Sequence, residues 1–243
     1  MKKLIISILM LSGIFTMASA EVGVKLGVTA QIGELTTSGK ETSSAAGGAT
    51  ETSANEKALF GTAGFFIEKD LAFLPGPFGR LSVGYDNIAH DLDLGTQTNS
   101  RSGLTTALNT DVSLGAGGTK AIGNAESPDN SLNAKITGFS TVYATLAITD
   151  WLYVKAGTVE VDVKTKFTGT STSSYAENHS LDGNVWGFGV ESMNDNGLFF
   201  RLEYNDYDID GKSVVNAGTD STFTATLNEV TGNTTRVSVG KSF

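Results

Sequence analysis

The chain has 243 residues, with 26 acidic against 17 basic side chains, a formal net charge of −9, 29 glycines, three prolines and no cysteine. An acidic chain without a basic cluster is a poor partner for nucleic acid. The missing cysteines exclude a disulfide framework, a lipid-modified cysteine and thiolate metal ligation, so stability has to come from secondary structure.

The first twenty residues, MKKLIISILMLSGIFTMASA, join a basic start (Lys2, Lys3) to an apolar run from Leu4 to Phe15 and a small-residue end, Ala18-Ser19-Ala20. This reads as a secretory signal peptide of the Sec pathway, cleaved after Ala20, with an apolar run too short to span a bilayer. Losing Lys2 and Lys3 makes residues 21–243 more acidic still. No other stretch approaches the ~18 consecutive apolar residues of a spanning helix.

From residue 22 onward the pattern has a period of two, the signature of strands whose two faces meet different media. Val22, Val24, Leu26, Val28, Ala30 and Ile32 alternate with Gly23, Lys25, Gly27, Thr29, Gln31 and Gly33. Ala63, Phe65 and Ile67 alternate with Gly64, Phe66 and Glu68, and Leu81, Val83 and Tyr85 with Arg80, Ser82, Gly84 and Asp86. In the fourth segment Ile136, Val142, Ala144, Leu146 and Ile148 oppose Lys135, Thr137, Thr141, Tyr143 and Thr145. The fifth begins with Leu152, Val154 and Ala156 around Lys155, then changes phase to Val159, Val161 and Val163 around Glu160, Asp162 and Lys164. One extra residue near Gly157 and Thr158 would produce that change, which predicts a β-bulge there. Trp186, Phe188 and Val190 face away from Glu191. Phe200, Leu202 and Tyr204 face away from Arg201 and Glu203, with a register slip expected after Tyr204. Val237, Val239 and Phe243 face away from Arg236.

The connections alternate in length. Residues 34–57, 92–133, 168–183 and 211–222 are long and polar, while 69–79, Thr149-Asp150 and Asn194-Asp195-Asn196-Gly197 are short turns. Residues 92–133 hold too few alternating apolar positions for another pair of spanning strands. The expectation is an all-β, eight-stranded antiparallel up-and-down barrel over residues 21–243, with both ends of the chain at the short-turn side.

Each apolar face is nearly free of charge over ~10 residues, about what a tilted strand needs to cross a bilayer. The opposite faces carry Lys25, Arg80, Lys135, Lys155, Lys164, Arg201 and Arg236 against Glu68, Asp86, Glu160, Asp162, Glu191 and Glu203. A transmembrane barrel turns its apolar face to lipid and can hold such charges, paired, in its lumen. The glycines on the charged faces suit a lumen crowded with long side chains. Aromatic residues near segment ends suggest interface girdles: Phe78, Trp151, Phe199 and Phe243 at the short turns, and Tyr85, Phe167 and Tyr207 at the long connections. A secreted lipocalin-like binder would show polar outer faces and an N-terminal G-x-W, and neither is present.

The closing residues, RVSVGKSF, carry Val237, Val239 and Phe243 at alternate positions, with an aromatic residue last. This resembles the assembly signal of Gram-negative outer-membrane barrels, although Lys241 stands where an apolar residue is usual. Taken with the leader, the eight segments and the alternating connections, the chain resembles the small barrels of the OmpA, OmpX and opacity-protein type. The resemblance implies an integral outer-membrane location, long connections outside and short turns in the periplasm. It also implies contact with outer-membrane lipid and lipopolysaccharide, and recognition of the last strand by the barrel-assembly machinery.

Two stretches invite chemistry. NDYDIDG, residues 205–211, spaces Asp206, Asp208 and Asp210 before Gly211 like the start of a calcium loop, but the twelfth position is Ala217 where a bidentate carboxylate is needed. It reads as the polar edge of a strand. His90, with Asp91 and Asp93, is the single histidine-acid grouping that lipid A hydrolysis could use, and a rim histidine is more simply solvated. GAGGTK at 115–120 lacks the spacing of a phosphate loop. The expectation is a non-enzymatic surface barrel with acidic loops and without cofactor or metal. The alternatives are a narrow ion or solute channel and, after it, a lipid A-modifying enzyme.

Overall fold

The computed structural model describes residues 23–43, 50–52, 56–88, 90–99, 130–168, 178–215 and 223–243. The leader, the GAGGTK stretch, Ala217 and part of each long connection fall outside them. Eight strands close the barrel: β1 (Val24–Thr37), β4 (Glu56–Asp70), β5 (Leu81–Ile88), β7 (Asn130–Ala147), β8 (Leu152–Thr168), β9 (Asn178–Met193), β10 (Leu198–Ile209) and β13 (Val230–Ser242). Each pairs antiparallel with its neighbours, β1 with β13 and β5 with β7 completing the ring. The expected eight-stranded antiparallel barrel is therefore observed. A further strand, β6 (Leu92–Asn99), continues the line of β5 past residues 89–91 and pairs with β7, so it lengthens the third strand position. Beyond the barrel, β11 (Lys212–Val215), β12 (Phe223–Leu227), β2 (Gly39–Ser43) and β3 (Thr50–Thr52) form a separate four-stranded sheet.

Short turns fix the other end. In the β9–β10 turn the Asn194 side-chain oxygen accepts from the backbone N–H groups of Asn196 (3.1 Å) and Leu198 (3.0 Å), and Gly197 takes a left-handed φ of 78°. In the β7–β8 turn the Thr149 hydroxyl accepts from the N–H of Leu152 at 2.9 Å. The β4–β5 connection runs through a 3-10 turn over Gly76–Arg80. The first and last strands meet here, Phe243 N–H donating to the Val24 carbonyl at 2.9 Å.

Neither expected irregularity is present. β8 pairs with β9 without interruption from Leu152↔Val190 to Lys164↔Asn178, so there is no bulge at Gly157–Thr158. β10 is equally continuous on both sides through Tyr204. The interruption lies in β7, where the pairing to β8 shifts between Ile136 and Gly138.

What changes midway along the strands is the medium. In the half nearer the short turns, exposed outward positions are apolar: Leu26, Val28 and Ile32 on β1, Val154 on β8, Trp186, Phe188 and Val190 on β9, Phe200 and Leu202 on β10, Val237 and Val239 on β13. Further along the same faces come Glu34, Thr158, Glu160, Asn184, Asp206 and Thr235, while the inward face turns apolar with Leu35, Val159, Val161, Val185, Tyr207 and Ile209. At ~3.3 Å per residue and a tilt near 40°, a strand as long as β8 rises about 43 Å, against an apolar band of ~25 Å. The surplus stands clear of lipid, and there the faces take the ordinary assignment of a protein in water, apolar inside and polar outside.

Candidate functional site

The lower interior is a charge network built on inward positions of seven strands. Arg201 meets Glu68 through two parallel contacts, Nη1 to Oε2 and Nη2 to Oε1, both 2.9 Å, and its Nε donates to Glu191 Oε2 at 2.7 Å. Lys25 lies 3.0 Å from Glu191, 3.7 Å from Glu68 and 3.6 Å from Asp70. One level higher, Lys155 sits 3.2 Å from Asp86 and 3.4 Å from Glu203. Arg236 lies 2.8 Å from Asp86 and donates its Nε to Gln31 Oε1 at 3.3 Å. Lys25, Lys155, Arg201 and Arg236 are matched by Glu68, Asp86, Glu191 and Glu203, with the partly exposed Asp70 at the lower edge. Such pairing is what permits charge in a space closed to bulk water, since a lone buried ion is far more costly than a paired one.

Aromatic rings hold this network in place, and cross-strand glycines admit them. Tyr143 pairs in register with Gly84, Tyr153 with Gly189, Phe66 with Gly27 and Phe199 with Gly240. A Cβ at any of these glycines would lie 2.3 to 2.6 Å from the facing ring, so each ring lies flat over the space a side chain would fill. Three of the rings surround the Arg201 guanidinium, with centroids 5.1 Å (Phe66), 5.1 Å (Tyr153) and 5.4 Å (Phe199) away, within cation–π reach. Tyr143 donates its hydroxyl to Glu68 at 3.2 Å and lies 4.0 Å beneath the Lys155 ammonium.

Above the charges, among the described residues, the inward side chains form an apolar cluster that includes Ile88, Phe139, Val159, Val161, Leu181, Val185, Tyr207 and Ile209. Phe139 and Tyr207 meet edge to face, centroids 5.4 Å apart. This plug comes from inward positions of the strand halves that stand beyond the lipid belt.

Of the thirteen charged residues singled out in the sequence, Lys25, Glu68, Asp86, Lys155, Glu191, Arg201, Glu203 and Arg236 lie together in the interior. The other five do not. Arg80 ends the 3-10 turn, exposed, and donates to the Ile148 carbonyl at 3.1 Å. Glu160, Asp162 and Lys164 keep the outward parity of Val154, because β8 has no bulge to turn them inward. Lys135 is exposed because the β7 irregularity lies between it and the inward Thr141. Two girdle expectations also change: Phe199 and Tyr207 share the parity of Arg201 and are buried in the barrel, whereas Phe78, Trp151 and Phe243 are exposed at the short-turn end. The side chain of Phe167 falls outside the described residues.

Val237, Val239 and Phe243 are exposed on the outer face, and the Lys241 ammonium lies 5.3 Å from the Phe243 ring. Asp208 points outward on β10, between the buried Tyr207 and Ile209, so Asn205–Ile209 of NDYDIDG continue the strand and Asp210 and Gly211 lie past its end. His90 serves the backbone, its Nε2 accepting from Ala63 N–H at 3.1 Å.

No protein-family model and no curated protein matches the sequence. Among solved structures, the chain is similar to the outer membrane protein AlkL in lipid bilayers, with a TM-score of 0.45, 11% identity and 94% of each chain covered. It is also similar to the outer membrane protease OmpT of Escherichia coli (TM-score 0.43, 8% identity, 94% of this chain and 99% of that one). A third similarity is to Ail, the attachment invasion locus protein of Yersinia pestis (TM-score 0.33, 9% identity, 88% and 98% covered). Ring closure at eight strands, an apolar outer belt and an ion-paired interior give this chain the architecture of the small eight-stranded outer-membrane barrels.

Proposed function

We propose that the chain is a non-enzymatic, non-conducting barrel of a Gram-negative outer membrane that holds acidic loops at the cell surface. The observation that carries this reading is the plug. A diffusion pathway needs a continuous polar lining, and here the polar network gives way to packed Phe139, Val159, Val185 and Tyr207 before the lumen ends. Eight strands also enclose an interior that side chains just fill. Because the interior charges balance, the chain's negative excess is carried by its exterior and its connections, a form suited to surface contact or surface hydration.

In this reading residues 1–20 direct Sec export and are removed after Ala20. The assembly machinery reads Val237, Val239 and Phe243, and the outer belt contacts outer-membrane lipid and lipopolysaccharide. Planar-bilayer recording of the folded, purified protein tests the central claim, with a flat baseline expected. Steady openings whose ion selectivity changes in Glu191→Gln would replace it with the narrow channel. Incubation with lipid A should leave its acyl chains unaltered.

A further inference from the structure

Where β7 breaks register with β8, the barrel wall carries a cleft. Ile136 pairs with Val163 and Gly138 with Asp162, so Thr137 is an extra residue without a partner on β8. Such bulges recur beside functional sites because they re-aim a side chain. A cleft of about 330 Å³ lies against this point, lined by Thr137 of β7, Asp162, Val163 and Lys164 of β8, and Asn178, His179 and Ser180 of β9. Asp162 with Ser180, and Lys164 with Asn178, are cross-strand pairs of outward parity. Gly138 makes room for the carboxylate, since a Cβ there would lie 2.7 Å from Asp162 Oδ2. Thr137 Oγ1 lies 3.5 Å from the Asp162 carbonyl. Among the described residues, the Asp162 carboxylate, the Lys164 ammonium, the Asn178 amide and the His179 imidazole have no hydrogen bond or ion pair of their own. Asp162 stands six positions beyond Ala156, the last apolar outward residue of β8. At ~3.3 Å per residue and a tilt near 40°, that is about 15 Å past the lipid-facing zone. The cleft therefore stands in water, beyond the head-group layer of an ordinary bilayer.

The lining selects the ligand. One cleft brings together an acceptor (Asp162), a donor (Lys164) and groups that do both (Thr137, Asn178, His179, Ser180), with Val163 its apolar member. An inorganic anion would be repelled by Asp162 and by Glu160, whose Oε1 lies 3.5 Å from Ser180 Oγ. A metal ion would find one carboxylate and one imidazole, and among the described residues no three such ligands are gathered. Neighbouring hydroxyls on one ring give and accept hydrogen bonds at once and so fit the whole set. The volume is within the range of small-ligand clefts. We propose that this cleft binds a neutral saccharide, Asp162 accepting from its hydroxyls and Lys164 donating to them. The site goes beyond the surface-barrel reading and requires only that the upper halves of β7, β8 and β9 stand in water.

The test is an NMR titration of the isotope-labelled protein folded in a phosphocholine detergent, which carries no sugar. The probes are the methyl glycosides of glucose, galactose and N-acetylglucosamine, and the dephosphorylated core oligosaccharide of lipopolysaccharide, with sodium sulfate as the anion control. Saturable shifts centred on Thr137, Asp162, Lys164, Asn178 and Ser180 are expected with at least one sugar and not with sulfate. A response to the core oligosaccharide alone assigns the ligand to the cell's own surface, and a response to a glycoside assigns it to a sugar from solution. Asp162→Ala should weaken binding about tenfold or more, the loss of a hydrogen bond to a charged group. Gly138→Ala should do the same by displacing the carboxylate while every lining side chain stays. Should Gly138→Ala fail to fold, the outward-facing Asp162→Ala decides. No saturable shift with any sugar, shifts that survive Asp162→Ala, or displacement of the sugar by sulfate would overturn the proposal.

Discussion

Arg201 on β10 and Glu68 on β4 stand 133 positions apart in the chain and meet through two 2.9 Å contacts at the centre of the lower interior. Both are almost wholly buried, so each is the other's main substitute for water. Removing one partner strands the other: Arg201→Ala or Glu68→Ala should cost about 3–5 kcal/mol, as for other buried pairs cut on one side. The apolar double variant Arg201→Met, Glu68→Leu should recover much of that loss. Urea unfolding in detergent, followed by heat-dependent gel mobility, reads both. Equal losses in single and double variants would mean that the pair is not the source of the stability.

The glycine-aromatic pairs give a second prediction. A Cβ on Gly84 would lie 2.3 Å from Tyr143 Cζ, closer than any side chain tolerates. Gly84→Ala therefore has to lift the ring and break its hydrogen bond to Glu68. A cost of about 1–3 kcal/mol is expected, typical of overpacking. Adding Tyr143→Ala should make the glycine substitution nearly neutral, so the two effects should fail to add in a double-mutant cycle.

The exchange of faces along β8 is testable position by position. Spin labels at Val154 and Ala156 should be accessible to oxygen from lipid, labels at Glu160 and Asp162 to a polar relaxation agent in water, and labels at Val159 and Val161 to neither. Val154→Arg should cost up to about 2–4 kcal/mol, depending on its depth in the bilayer. Glu160→Val should stay within about 0.5 kcal/mol, as surface substitutions do. A label at Val159 reporting lipid would restore the bulge.

That same exchange marks the limit of what alternation conveys. Strand number, the alternation of long and short connections and the faces of the lower half were legible because period two runs through residues that meet one medium on each side. Past Ala156 the parity continues while the medium changes, and Val159 after Ala156 looks like a slipped register. Charge then misleads: Glu160, Asp162 and Lys164 resemble Lys155 chemically but not in parity. Phe199 and Tyr207 could have been placed by parity with Arg201, yet residue type suggested a girdle. Arg80 belongs to a turn, where strand parity has no meaning. Lys135 shares the odd number of Thr141, and the β7 irregularity that separates them has no Gly or Pro before Gly138 to announce it. The glycines, by contrast, were visible as a class, and their ring partners required the register.

The β4–β5 edge depends locally on the His90 imidazole. Its Nε2 accepts from Ala63 N–H just beyond the last β4–β5 pair, Gly64↔Ile88, while Nδ1 carries the proton toward the Asp91 carbonyl at 3.1 Å. Amide exchange at Ala63, corrected for its intrinsic rate, should accelerate in His90→Phe, which removes the acceptor. An unchanged protection factor in His90→Phe would remove the imidazole from the ladder.

Glu229, exposed before β13, lies beside Asp208, and a shared hydrogen bond and then mutual repulsion raise its carboxyl above the ordinary glutamate value. The sign of the linkage follows. A carboxyl whose folded value lies above its unfolded value binds its proton more tightly in the folded state, so acid favours folding at this site. That benefit is lost as the pH rises through the raised value, and beyond it the two carboxylates repel. Asp208→Asn should bring Glu229 back toward its ordinary value in an NMR titration, and should stabilise the folded chain slightly at neutral pH while leaving it unchanged in acid. Salt should mimic the substitution at neutral pH, since exposed charges are screened within about 8–10 Å. A Glu229 titration that ignores Asp208→Asn would show that the neighbouring carboxylate is not the cause.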